Sequence, residues 1–107
     1  MGKFRVEVTD KAERDLEKHF KSGNTANIKK IEKLFIELSE HPYAGTGQPE
    51  QLKHGLAGFW SRRINQKDRV IYSVSENVVT VTVVSALGHI LINSLQPKFL
   101  LQQRKHK

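Results

Sequence analysis

Hydrophobic and polar residues alternate from Lys3 to Val8, with Phe4, Val6 and Val8 on one side and Lys3, Arg5 and Glu7 on the other. A period of two predicts a half-buried strand. Asp10 and Glu13 follow with capping-box spacing. Ala12, Leu16 and Phe20 then recur every four residues, which predicts a helix with one apolar stripe and Gly23 as its C-cap. Asn24 or Thr25 can cap a second helix, whose stripe is Ile28, Ile31, Leu34, Phe35 and Leu38. His41-Pro42 ends it, because the residue before a proline avoids the helical region. Gly45-Thr46-Gly47-Gln48-Pro49 reads as a loop. Three strands are expected beyond it, over 58–64, 69–74 and 78–86, joined by polar turns at 65–68 and 75–77. The last is a β-branched run and reads as a central strand. The expected architecture is α+β: an N-terminal strand and two helices packed on one face of an antiparallel sheet of about four to five strands. The opposite face is left to carry a site.

Composition narrows the classes. A chain of 107 residues is one domain's worth and can bury its own core. Cysteine is absent, which excludes disulfide scaffolds, thiolate zinc sites and cysteine nucleophiles, and favours a cytoplasmic location. No apolar run reaches the roughly 18 residues of a membrane span, and Met1 to Thr9 lacks the apolar core of a signal peptide. No membrane partner is expected. The net charge of +7 fits a polyanionic or acidic partner. Residues 90–107 hold four Lys/Arg and no Asp or Glu, so much of that excess sits in an atypical basic tail. The organisation expected is a domain over 1–89 and a C-terminal extension over 90–107.

Glu50 is the one acid between Glu40 and Asp68, and lies among Lys53, His54, Arg62, Arg63, Lys67 and Arg69. Alone, each reads as an ordinary surface charge. Arg62 and Arg63 are neighbours on a strand and point to opposite faces, so only one can serve a common site. Arg69 should face the open side if Val70, Tyr72 and Val74 face the helices. His89 follows Gly88 at the end of the last strand. The five histidines lack metal-ligand spacing, so no metal cofactor is expected. Together, one carboxylate, several cations and a histidine suit metal-free RNA cleavage, with a base, a phosphorane-stabilising cation and an acid.

Pro49-Glu50-x-Leu52-Lys53-His54-x-Leu56-x-Gly58-Phe59-Trp60-Ser61-Arg62-Arg63-Ile64, then Arg69-Val70-Ile71-Tyr72 and Gly88-His89, closely resembles the Txe/YoeB family of bacterial toxin–antitoxin toxins, within the RelE-like superfamily. The resemblance covers roughly residues 2–89. It implies a RelE-like fold and a ribosome-dependent mRNA endonuclease that cuts the codon in the ribosomal A site. It assigns Glu50 as general base, Arg69 as transition-state arginine and His89 as general acid. Lys53 and Arg63 are the implied RNA or phosphate ligands, with Arg62 and His54 as further candidates. It implies no cofactor. The implied partners are a YefM/Phd-like antitoxin, the ribosome and mRNA, operator DNA through the antitoxin alone, and a second copy of the chain, since some relatives dimerise. The family ends in or near His-Tyr, whereas here Ile90 and seventeen further residues follow His89. That departure implies an alternative, a homologue weakened in catalysis that still binds its antitoxin.

Overall fold

Thr9 closes the first strand and starts the first helix. The structure, a computed structural model, describes residues 3–88. Strand β1 is Arg5–Val8 and helix α1 is Asp10–Ser22. The Thr9 hydroxyl accepts from the Ala12 N–H at 3.2 Å, so the cap lies one residue before the expected Asp10. Asp10 and Glu13 fall in the first turn, where carboxylates complement the helix dipole. Gly23 takes a left-handed φ of 77° and ends α1. Asn24 caps helix α2, Thr25–Glu40, by accepting from the Asn27 N–H at 3.1 Å.

The α1 stripe differs from the expected one. Ala12 and Leu16 are buried, but Phe20 is 47% exposed, and Asp15 and His19 are buried instead. A spacing of four residues turns about 40° past a full circle, so two such steps carry Phe20 about 80° off the face. A spacing of seven returns to within about 20°, which puts His19 under Ala12.

Strands β2 (Glu50–Gln51), β3 (Phe59–Arg63), β4 (Arg69–Ser75) and β5 (Thr80–Ser85) complete a five-stranded sheet in the order β1-β5-β4-β3-β2. β3, β4 and β5 pair antiparallel as expected; β2, a two-residue strand in the stretch read as loop, adds to β3, and β1 pairs parallel to β5, so the sheet is mixed. As expected, β5 lies inside the sheet, paired on both sides. It is shorter than the apolar run because Val78 and Val79 belong to the turn, Val79 at a left-handed φ of 47°. Ile31, Leu34 and Leu38 of α2 pack with Ala12 and Leu16 of α1 against Val70, Tyr72, Val81 and Val83. Both helices therefore cover one face.

That covered face also holds Arg62, which is fully buried. Its Nε donates to Tyr72 Oη at 3.1 Å and its Nη1 to Glu37 Oε1 at 2.9 Å. Its Nη2 donates to the carbonyls of His41 and Ala44. Arg62 as a phosphate ligand is thus corrected: its donors are spent inside the domain, out of reach of RNA. Glu37 in turn accepts from the Thr46 N–H and hydroxyl, each at 2.7 Å, and Tyr72 donates to the Pro42 carbonyl at 2.6 Å. These bonds fasten the 41–47 segment that leads into Glu50.

Gly47 completes the fastening. Its carbonyl accepts from the Arg63 N–H at 2.7 Å, and its φ is 86°. A Cβ there would sit 2.8 Å from the Arg63 carbonyl oxygen, which is backbone and cannot swing away. Gly47→Ala is expected to cost about 1–3 kcal/mol through left-handed strain and this clash. A urea midpoint unchanged from that of the parent chain would contradict it.

Candidate functional site

The sheet registers decide which charged side chains share the face away from the helices. Val70 and Tyr72 point into the core, so Arg69, Ile71 and Ser73 point the other way. Arg63 is the direct cross-strand partner of Arg69, Ser61 of Ile71, and Glu50 of Ser61. Directly opposed residues project to one face. Glu50, Ser61, Arg63 and Arg69 therefore form one cluster on the open side of β2, β3 and β4.

Glu50 Oε1 lies 3.7 Å from Arg69 Nη1; the Glu50 side chain is 65% exposed and that of Arg69 17%. So loose and wet a pair adds little to stability. Arg63 opposite Arg69 is a like-charge pair, which works against the fold. Two guanidinium groups and one carboxylate leave the cluster with a net positive charge, suited to an anion. Behind it, the fully buried Ser61 hydroxyl has no hydrogen-bond partner. Lys53 is exposed between β2 and a single 3-10 turn, His54–Leu56. Among the described residues no hydrogen bond or ion pair joins Lys53 to Glu50, Arg63 or Arg69.

His89 lies outside the described residues, as do Ile90 and the rest of the tail. The chain just before it is held firmly. The Gly88 N–H donates to Asp68 Oδ1 at 2.7 Å and the Gly88 carbonyl accepts from the Arg69 N–H at 3.2 Å. The Ala86 N–H donates to Asp15 Oδ2 at 3.0 Å. His19 Nε2 meets the Ala86 carbonyl at 2.7 Å, and since that carbonyl only accepts, Nε2 carries the proton. Nothing in the pattern marked Asp15, His19, Glu37 or Asp68 as anchors, whereas Tyr72 lies in the core as its place in the alternation expects. The one available signal was Asp15 and His19 themselves, two polar residues four apart on the apolar side of α1.

Two of these carboxylates are shifted. Burial pushes Glu37 up, but hydrogen bonds from Thr46 and the Arg62 charge outweigh it, so its carboxyl lies below the ordinary range. Burial likewise opposes ionisation of Asp68, and the Gly88 N–H, Asn65, His19 and Lys67 together bring it below that range. Each carboxyl holds its proton less well folded than unfolded. The resulting stabilisation is complete above the unfolded carboxylate range of about pH 4, and is lost as pH falls through the lowered folded values. The urea midpoint is expected to fall on acidification below about pH 4, and Glu37→Gln should flatten that limb. An unchanged limb in the variant would contradict the assignment. Among the described residues no three His, Asp or Glu side chains gather as a metal site.

Comparison with known proteins bears on this geometry. Residues 9–89 match the family described as YoeB-like toxin of bacterial type II toxin-antitoxin system. Toxin YoeB of Escherichia coli K12 is 46% identical over 50 residues, 47% of this chain and 60% of the relative. The alignment thus spans less than two thirds of that relative's length. A YoeB/ParE toxin from Agrobacterium tumefaciens superposes with a TM-score of 0.72 at 31% identity, covering 80% of this chain and 99% of that one. The toxin of a heterotetrameric YoeB-YefM complex from Staphylococcus aureus superposes with a TM-score of 0.66 at 31% identity, covering 80% and 97%. The family match reaches over both helices and all four later strands, and the fold agrees with it: this chain belongs to the YoeB-like toxins of bacterial type II toxin–antitoxin systems.

Proposed function

We propose that this chain is a ribosome-dependent endoribonuclease that cuts mRNA at the A-site codon and so inhibits translation. The observation that carries the reading is the Glu50–Arg69 pair at 3.7 Å, with Arg63 opposite Arg69 on the face of the sheet away from the helices. In this reading the Glu50 carboxylate takes the proton from a 2′-hydroxyl, and the resulting oxygen attacks the adjacent phosphorus. Arg69 and Arg63 stabilise the charge that builds on the phosphoryl oxygens, and His89 gives a proton to the departing 5′-oxygen. Lys53 and His54 contribute to holding the strand. Phosphate contacts of this kind make binding fall with salt. A YefM/Phd-like antitoxin neutralises the chain and carries any operator contact; the complex of the Staphylococcus aureus relative with YefM supports that partner. Residues 1–89 form the toxin unit and 90–107 its extension.

The test is primer extension on a translated mRNA with purified ribosomes and the full chain, beside Glu50→Ala. Cuts at A-site codons that vanish in the variant are expected. Ile90 in place of the family's tyrosine favours a second reading, a weakened toxin that still binds antitoxin. It predicts no cuts from the full chain, and their appearance once residue 90 is changed to tyrosine and residues 91–107 are removed. No cuts in either form would sink the nuclease assignment.

A further inference from the structure

We propose that a groove at the end of β3 is a second phosphate subsite, which takes the phosphodiester of an RNA strand flanking the one at Glu50 and Arg69. The proposal rests on the ribonuclease reading for its choice of RNA. The groove encloses about 310 Å³ and is lined by Lys30, Gly47, Gln48, Arg63, Asn65 and Gln66. That volume is at the low end of the roughly 300–1,000 Å³ of ligand clefts, a size for one sugar-phosphate unit.

Four observations point to an anion. The lining contains two cations and no carboxylate. Neither Lys30 nor Arg63 has a carboxylate partner among the described residues, and Lys30 is half-buried. The other side chains of the wall are carboxamides, which can donate to phosphate or sugar oxygens. The wall is also locally strained: Gln48 sits at a left-handed φ of 52° beside Gly47, a conformation that costs a non-glycine residue free energy and gathers at ligand sites. Asn65 is mostly committed to its own turn, with one amide N–H left over. Its Oδ1 accepts from the N–H groups of Lys67 and Asp68, and its Nδ2 donates to Asp68.

Arg63 makes the groove continuous with the site. It lines the groove and is also the cross-strand partner of Arg69. A strand with one phosphate at Arg69 can therefore pass Arg63 and reach Lys30. An acidic peptide fits less well, because no hydrophobic side chain lines the groove, and a peptide that folds on binding is anchored by apolar residues.

The test uses the full chain carrying Glu50→Gln, so that bound RNA is not cut. Affinity for a fluorescein-labelled single-stranded oligoribonucleotide is measured by anisotropy across a series of KCl concentrations, with and without Lys30→Ala and Lys30→Arg. Lys30→Ala is expected to weaken binding several-fold and to reduce the slope of log K against log salt by about 0.7, the value of one phosphate contact on a single strand. Lys30→Arg should restore the slope. The backbone amides of Gly47, Gln48 and Arg63 should shift in nitrogen-15 correlation spectra on titration with the oligoribonucleotide. An unchanged slope and affinity in Lys30→Ala would overturn the subsite, as would a poly-glutamate peptide that shifts the same amides at equal affinity. The ribosomal cleavage assay is independent. Cuts with an unchanged Lys30→Ala slope would remove the subsite alone; a lost slope without cuts would remove the nuclease reading and leave an RNA-binding groove.

Discussion

Arg62→Ala is expected to lower the unfolding free energy by about 3–5 kcal/mol, the cost of breaking a buried ion pair by removing one partner. The whole margin of a small domain is about 5–15 kcal/mol, so the variant should be near its folding threshold. The loss has identifiable parts. Glu37 keeps its half-buried charge without its guanidinium partner, and the carbonyls of His41 and Ala44 lose their donor. Tyr72 Oη loses one of its two partners. Both Glu37→Gln and Arg62→Ala should loosen the 41–47 segment, but Arg62→Ala more, because Gln at 37 can still accept from Thr46. Urea denaturation followed by circular dichroism measures this directly. A loss under 1 kcal/mol for Arg62→Ala would mean that the network does not hold the loop.

The second large effect separates activity from stability. Arg69→Ala is expected to reduce ribosomal cleavage by about 10²–10³-fold, as for loss of one transition-state donor. Glu50→Gln should reduce it by about 10²–10⁴-fold, as for loss of a general base. Neither should shift the unfolding free energy by more than about 1 kcal/mol, because the pair is loose and Glu50 is mostly in water. Arg69→Ala also removes the like-charge opposition to Arg63, which offsets part of what it loses. Its backbone bond to Gly88 survives the substitution, so the chain before His89 stays in place. If either variant lost activity only in proportion to lost folded protein, the catalytic roles would fall.

The faces taken by the charged residues of β3 and β4 are legible in the sequence. Period-two alternation was enough to put Arg62 and Arg63 on opposite faces and to place Arg69 with the open side. The choice between Arg62 and Arg63 was not legible. An arginine among Trp60, Ile64 and Tyr72 is unusual in a core, and only the convergence of Glu37, Tyr72 and three carbonyls of the 41–46 segment makes it tolerable there. The buried Asp15 and His19 were missed for a related reason. The four-residue stripe was extended to Phe20, whereas the helix turns 100° per residue and returns at seven. Their partner, the Ala86 backbone, is 67 and more residues away in the chain.

The amino-acid sequence by itself determined the order of both helices and of every strand but β2, the helix ends at Gly23 and His41, the two faces of the sheet and the motif that marks the family. These follow from local steric preference and from hydrophobic period, which act over a few residues. The tertiary structure alone decided the parallel pairing of β1 with β5, the register that sets Glu50 beside Ser61, the interior place of Arg62 and the anchoring of Ala86 and Gly88 by Asp15, His19, Asp68 and Arg69. Alternation tells a side chain its face but not its neighbour. Which neighbour it meets depends on contacts between distant parts of the chain, where hydrogen bonds must be satisfied and charges paired all at once.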